Sequence, residues 1–181
     1  MCWSKFSLRK WSIMRLSKAT ASDFEFCESL YGKQATDMIY RWERNEVNTE
    51  NVNRFSSEFF ITDEIWGLIK EEVKFNREKF MEQLSKKHMK IFIIYDDNNS
   101  KIGYCQLTSI GSTCWKLEFM FLKEENKEFN VFKKAIDLLN KKIQTIEVCI
   151  IDDEVKTYFL KAGFEEFDKF FFKRIRGQSK I

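Results

Sequence analysis

The chain has no proline, six glycines and a single histidine in 181 residues. No proline- or glycine-rich stretch marks a linker, and no segment repeats another. One domain is therefore expected, spanning 13–176, with 1–12 as an N-terminal extension and 177–181 as a tail. The lone His88 and five cysteines without a CxxC spacing are too few and too scattered for a zinc site, so no metal is expected. His88 follows Lys86-Lys87 at the end of a helical pattern, where a capping or dipole role is expected. Cys2, Cys27, Cys105, Cys114 and Cys149 form no disulfide framework. An odd count without a secretory signal points to reduced thiols and a cytoplasmic setting. Cys105 and Cys149 lie inside strand-like runs and read as small core residues. No run approaches the ~20 apolar residues of a spanning helix, which argues against a membrane partner. The first 13 residues lack the apolar centre of a signal peptide.

What is present is an apolar share of 44% and a charged share of 33%, the composition of a globular chain with a sizeable core. Phenylalanine is abundant at 19 residues. The net charge of +3 is unevenly spread. Residues 1–18 carry five basic side chains and no acid, and 169–181 carry five more and no acid. All 28 acids lie between them, against 21 bases. An acidic body with basic ends is not the basic face that nucleic-acid binding requires.

Alternation predicts a first strand at Ile13–Lys18. Ser22-Asp23-Phe24-Glu25 has the Ser-x-x-Glu form of a capping box and opens a helix through Phe26 and Leu30 that breaks near Gly32. Asn45–Asn53 reads as a loop. Thr62-Asp63-Glu64 opens a second helix with Ile65, Ile69, Val73, Phe80 and Leu84 as its apolar stripe. Ile91–Tyr95 and Lys101–Ser109 form a hairpin across Asp96–Ser100, and Trp115–Leu122 is the next strand. A helix from Asn126 or Asn130 to Lys141, a strand at Thr145–Ile151, a helix at Asp153–Ala162 and one or two strands over Phe167–Arg174 complete the chain. This order predicts a mixed α/β (α+β) fold, a mostly antiparallel twisted sheet flanked by helices.

The most informative stretch is 148–164. Val148, Asp152, Val155 and Phe159 are followed by Lys161, Gly163 and Phe164. The stretch resembles the closing half of the GNAT acyltransferase fold. That family's pattern is Val, three residues, Asn, two residues, Ala, three residues, Tyr, then x-Lys-x-Gly-Phe. Every spacing agrees. Asp152 stands for Asn, Val155 for Ala, and Phe159 for the Tyr that often protonates departing coenzyme A. Tyr158 is the remaining hydroxyl and the candidate acid, although adjacent helical residues point about 100° apart. The similarity extends over about 13–174, most closely over 101–174.

The resemblance also aligns the preceding strand and loop. Glu118 and Leu122 fall on the family's Glu-x-x-x-Val, and Lys127 falls on the Gln or Arg that opens the acyl-CoA loop. Asn130 and Phe132 then take its two small-residue positions. In the family, bare N–H groups at the following helix N-terminus hold the pyrophosphate, and glycines let the backbone approach it. By resemblance, Met120, Phe121, Leu122, Lys127, Glu128, Phe129, Asn130, Val131, Phe132 and Asp152 would line the acetyl-CoA site. With both glycines replaced and Glu124, Glu125 and Glu128 nearby, the cosubstrate is expected to bind weakly or not at all. Glu118 is either the base that takes a proton from an ammonium or a solvent-facing residue beside Lys116. Strict alternation puts Lys116, Glu118 and Met120 on one face, and Leu117, Phe119 and Phe121 on the other. The resemblance implies a divergent N-acetyltransferase acting on a small-molecule or peptide amine, with a homodimer as one assembly open to it. The alternative is a non-catalytic GNAT-fold protein that binds a protein partner or an altered acyl carrier.

Overall fold

The structure is a computed structural model that describes residues 14–31, 75–150, 153–168 and 171–177. Asp152, the expected loop at 45–53 and the helix start at 62–64 with its Ile65, Ile69 and Val73 lie outside these residues. Among the described residues, seven strands form one sheet: β1 (Arg15–Lys18), β2 (Met89–Tyr95), β3 (Lys101–Ser109), β4 (Cys114–Leu122), β5 (Thr145–Cys149), β6 (Glu165–Asp168) and β7 (Phe171–Ile175). Their order is β1-β2-β3-β4-β5-β7-β6, and β4 with β5 is the one parallel pair among them. The described α-helices are α1 (24–31), α2 (Arg77–Ser85), α3 (Phe129–Lys142) and α4 (Asp153–Lys161).

The β2–β3 hairpin is built by its turn chemistry. Asp96 Oδ1 accepts the N–H groups of Asn98 at 2.9 Å and Ser100 at 2.8 Å. Asn99 takes the left-handed conformation at φ 64, which asparagine tolerates. In β3, Gly103 is required by the approach of β4: a Cβ there would clash with the Phe121 carbonyl oxygen. Helix α4 ends on Gly163, at φ +88, with the Phe164 N–H returning to Phe159 O at 3.1 Å. This is the Schellman arrangement that the Lys-x-Gly-Phe spacing encodes.

The sheet is covered on both faces. On one face, Leu107, Leu117, Ile146, Val148 and Phe172 pack with Ile136 and Leu139 of α3 and Phe159 of α4. On the other, Ile91, Ile93, Tyr104 and Phe121 pack with Phe24, Cys27 and Leu30 of α1 and Phe80 of α2. The inner strand β2 is therefore apolar on both sides, with Ile91 through Ile94 all buried.

Several local expectations change. The reciprocal cap sits two residues earlier than Ser22–Glu25, because the Asp23 carboxylate accepts the Thr20 N–H at 2.8 Å. The second helix does not run through to Leu84 unbroken: Phe75 and Asn76 are non-helical, and Asn76 Oδ1 caps α2 by accepting the Lys79 N–H at 2.8 Å. His88 lies in the turn before β2, beyond the end of α2, where its carbonyl accepts the Ser109 N–H at 2.7 Å; its backbone, and not its ring, makes the connection. Cys105 is buried, its thiol pushed up to about 12 by burial. Cys149 is exposed instead of core, since Ile146 and Val148 claim the covered face of β5 and the alternate face is open.

Candidate active site

The parallel pairing of β4 with β5 covers Cys114–Leu117 and stops there. Beyond Leu117 the two strands separate, and among the described residues no strand pairs with Phe119–Phe121 on the β5 side. A free edge of this kind presents backbone donors and acceptors to an extended ligand. The separation coincides with a β-bulge. Gln106 opposes Phe119 and Leu107 opposes Leu117, which leaves Glu118 as the extra residue of β4.

The bulge overturns the strict alternation. Leu117 packs on the α3–α4 face with Met120, while Phe119 and Phe121 pack on the α1–α2 face. One inserted residue reverses every side chain after it. Glu118 Oε2 lies 2.9 Å from Lys116 Nζ, so its carboxylate shares the face of Lys116, Phe119 and Phe121. The residue is exposed as a whole, yet its side chain is only 28% exposed, because the backbone of the bulge accounts for much of the open surface. The sequence carries one trace of this event. From Phe119 to Leu122 both alternating sets are apolar, as expected where a strand becomes covered on both sides.

A 3-10 turn over Glu124–Asn126 leads into α3, whose N-cap is Glu128 without a side-chain cap bond. Glu128 O accepts the N–H groups of Val131 and Phe132, while those of Phe129 and Asn130, at the first two helical positions, have no acceptor within the helix. Lys127 is exposed and held by Glu124 at 2.8 Å. Asn130 is exposed, and Val131 packs on Ile94, Ile102, Leu122 and Ala135. The ring of Phe132 does not stand at the solvent end of the helix. It turns inward and meets Phe159 edge-on at 5.0 Å and Tyr158 at 6.2 Å. Phe129 meets Tyr158 at 5.8 Å. The first turns of α3 and the body of α4 are thus joined by aromatic rings across the strand divergence. Phe159 is 7% exposed and also contacts Phe164 at 5.0 Å, so it is a core residue. Tyr158 is 43% exposed, the one hydroxyl of this group that reaches solvent. Met120 packs against the same core cluster as Phe129 and Phe132, whereas Phe121 and Leu122 are buried at 6%.

The face opposite α3 carries an aromatic floor, in which Phe119 and Phe121 stay together as alternation expects but part from Leu117. Phe119 stacks on Phe121 at 4.8 Å and 14°, Tyr104 meets both edge-on, and Tyr31 of α1 meets both at about 6 Å. The Tyr104 hydroxyl is buried without a hydrogen-bond partner. Burial raises its ionisation far above the ordinary range, so it remains a neutral donor. At the edge of this face, buried Asp23 holds Lys101 at 2.7 Å and ties the 3-10 turn that leads into α1 to β3.

Burial opposes the charge on Asp23, but Lys101 and the Thr20 N–H and hydroxyl outweigh it and hold the carboxyl below its ordinary range. A carboxyl lowered on folding adds stability above its unfolded pKa, and that stability is lost as pH falls through the folded value. Lys101→Met removes the partner and leaves burial to act against the Thr20 bonds. The variant is expected to lose about 3 kcal/mol at pH 7, the low end for a broken buried pair because Lys101 is one-third exposed. The deficit shrinks as pH falls through about 4, because the variant's carboxyl takes up its proton before the lowered Asp23 of the parent does. Urea titrations from pH 3 to 7 measure it, and a deficit independent of pH rules out Asp23 as its source.

Among the described residues no cluster of His, Cys, Asp or Glu could hold a metal, and no helix is long and apolar enough to cross a membrane. The fold, with its parallel β4–β5 pair ending at Leu117 between α3 and α4, is that of the GNAT acetyltransferases. An acetyltransferase from Thermus thermophilus matches with a TM-score of 0.57 at 10% identity, over 90% of this chain and 96% of that one. A single-residue mutant of the spermidine N-acetyltransferase SpeG from Vibrio cholerae matches with a TM-score of 0.55 at 12% identity, over 90% and 94%. SpeG in complex with CoA and spermine matches with a TM-score of 0.52 at 12% identity, over 90% and 95%. No protein-family model and no curated protein matches the sequence.

Proposed function

We propose that the protein is a divergent N-acyltransferase that moves an acetyl or other acyl group from acyl-CoA to a primary amine. The observation that carries this reading is the divergence of β4 from β5 at the Glu118 bulge. It leaves a free strand edge for the pantetheine arm on one side and a carboxylate beside the amine on the other. Transfer is by direct attack. The neutral amine nitrogen forms the C–N bond, the C–S bond breaks, and the electron pair leaves with sulfur. Glu118 takes the proton that the ammonium gives up before attack, directly or through water, and the second nitrogen proton, lost as the amide forms, passes to solvent, which restores the Tyr158 proton given to sulfur. Holding both reactants in one complex supplies much of the rate. Coenzyme A thiolate is a fair leaving group near neutral pH, and in this reading Tyr158 protonates it. The N–H groups of Phe129 and Asn130 are the donors for the pyrophosphate. The free thiols at Cys27, Cys105, Cys114 and Cys149 suit a reducing, cytoplasmic setting.

A second reading rests on the rings of Phe129, Phe132 and Tyr158. They join α3 to α4 across the place where the pantetheine arm would pass, which favours a non-catalytic protein of the same fold. Acetyl-CoA binding separates the two. Under the acyltransfer reading, calorimetry gives a Kd no weaker than the micromolar range. At a hundred times Kd the fold gains about 2.7 kcal/mol, a melting shift of roughly 5–10 °C. No heat and no shift at millimolar acetyl-CoA leaves the non-catalytic reading.

A further inference from the structure

We propose that the acceptor is an aralkyl or alkyl monoamine, with its apolar body on the rings of Phe119 and Tyr31 and its ammonium at Glu118. This rests on the acyltransfer reading and adds the acceptor to it. The bulge in β4 is what assembles the site. By inserting Glu118, it sets a carboxylate and the Phe119 ring side by side on the same face, where a regular strand would separate them. Phe119 and Tyr31 are half-buried and meet at 6.1 Å, while Phe121 and Tyr104 beneath them are buried. The floor is thus a packed aromatic surface with two partly open rings next to one carboxylate. Such rings favour a flat or aliphatic body, and their faces attract a nearby cation.

The charge on this face argues against a polycation. Glu118 and Asp23 each already hold a lysine, Lys116 at 2.9 Å and Lys101 at 2.7 Å, and Glu147, opposite Lys116 on β5, accepts from the Cys114 thiol at 3.3 Å. A ligand with several ammonium groups would meet half-neutralised carboxylates and leave charge over apolar rings, which costs desolvation without pairing. A single ammonium on an apolar stem needs one carboxylate and a dry surface. The Tyr104 hydroxyl, buried without a partner, is a further donor under the floor.

The test compares 2-phenylethylamine, spermidine and ethanolamine as acceptors for acetyl-CoA, with thiol release as the readout. The kcat/KM for 2-phenylethylamine is expected to exceed that for spermidine at least tenfold. Phe119→Leu should raise KM for 2-phenylethylamine about tenfold and change that for ethanolamine less than twofold. Tyr31→Leu should act in the same direction and serves if Phe119→Leu does not fold. Preference for spermidine, or an equal change for both small amines, overturns the inference and leaves acyl transfer intact. If no amine is acetylated, the acyltransfer reading fails, and calorimetry of the amines alone decides the floor. Binding of 2-phenylethylamine, tighter than spermidine and lost in Phe119→Leu, supports it; no such binding overturns it.

Discussion

Phe132→Ala is expected to fold less stably by about 3 kcal/mol and yet to bind acetyl-CoA about tenfold more tightly. The loss follows from the ring's place. It packs on Phe159 and Tyr158 and against the cluster of Ile94, Ile102, Leu122 and Ala135. Deleting a buried Phe costs about 3–5 kcal/mol, and partial exposure puts this site at the low end. The gain follows from the same geometry, because the ring lies between α3 and α4, where the acyltransfer reading puts the donor. Two changes of opposite sign distinguish a plug from an ordinary core residue. Urea unfolding measures the first and calorimetry the second. A stability loss with no tighter binding means that no donor channel lies behind the ring, and the non-catalytic reading then stands.

The second large effect is expected at Glu118. Replacing it with Gln keeps the shape of the bulge but removes the charge and the pair with Lys116. A general base contributes about 10²–10⁴ in rate, so kcat/KM for the amine should fall at least about 10²-fold. The Kd of acetyl-CoA should stay the same, since the proposed donor site is the backbone edge and the α3 N-terminus. Stability should move by less than about 1 kcal/mol, because the pair with Lys116 is partly exposed. A variant that keeps its turnover would show that Glu118 is only the solvent-facing partner of Lys116.

Much of the fold was legible in the sequence because the signals are local. The span Lys101–Ser109 agrees with β3 residue for residue, and the Lys161-x-Gly163-Phe164 spacing with the end of α4. Both depend on contacts within a few residues: alternation along one strand, and a glycine that alone accepts φ +88 after a helix. The mostly antiparallel order follows from short turns between strands, which the Asp96–Ser100 hairpin illustrates.

For the candidate site, spacing names residues but carries none of their geometry. Glu118 could be named from spacing, yet its bulge exists only as a difference in register between β3 and β4, and neither strand encodes it alone. That register decided that Leu117 and Phe119 part company, and so set Glu118 on the face of the Phe119 and Phe121 rings. Phe132 could be placed at the loop, but the direction of its ring depends on Tyr158 and Phe159, which lie on another helix far along the chain. Cys149 reads as a core residue until the sheet shows which face of β5 is covered. The sequence by itself determined the elements, their order and the candidate carboxylate, since these rest on periodicity and turn chemistry at short range. Only the tertiary structure decided which faces meet, because burial is settled by what packs opposite a residue and not by its neighbours along the chain.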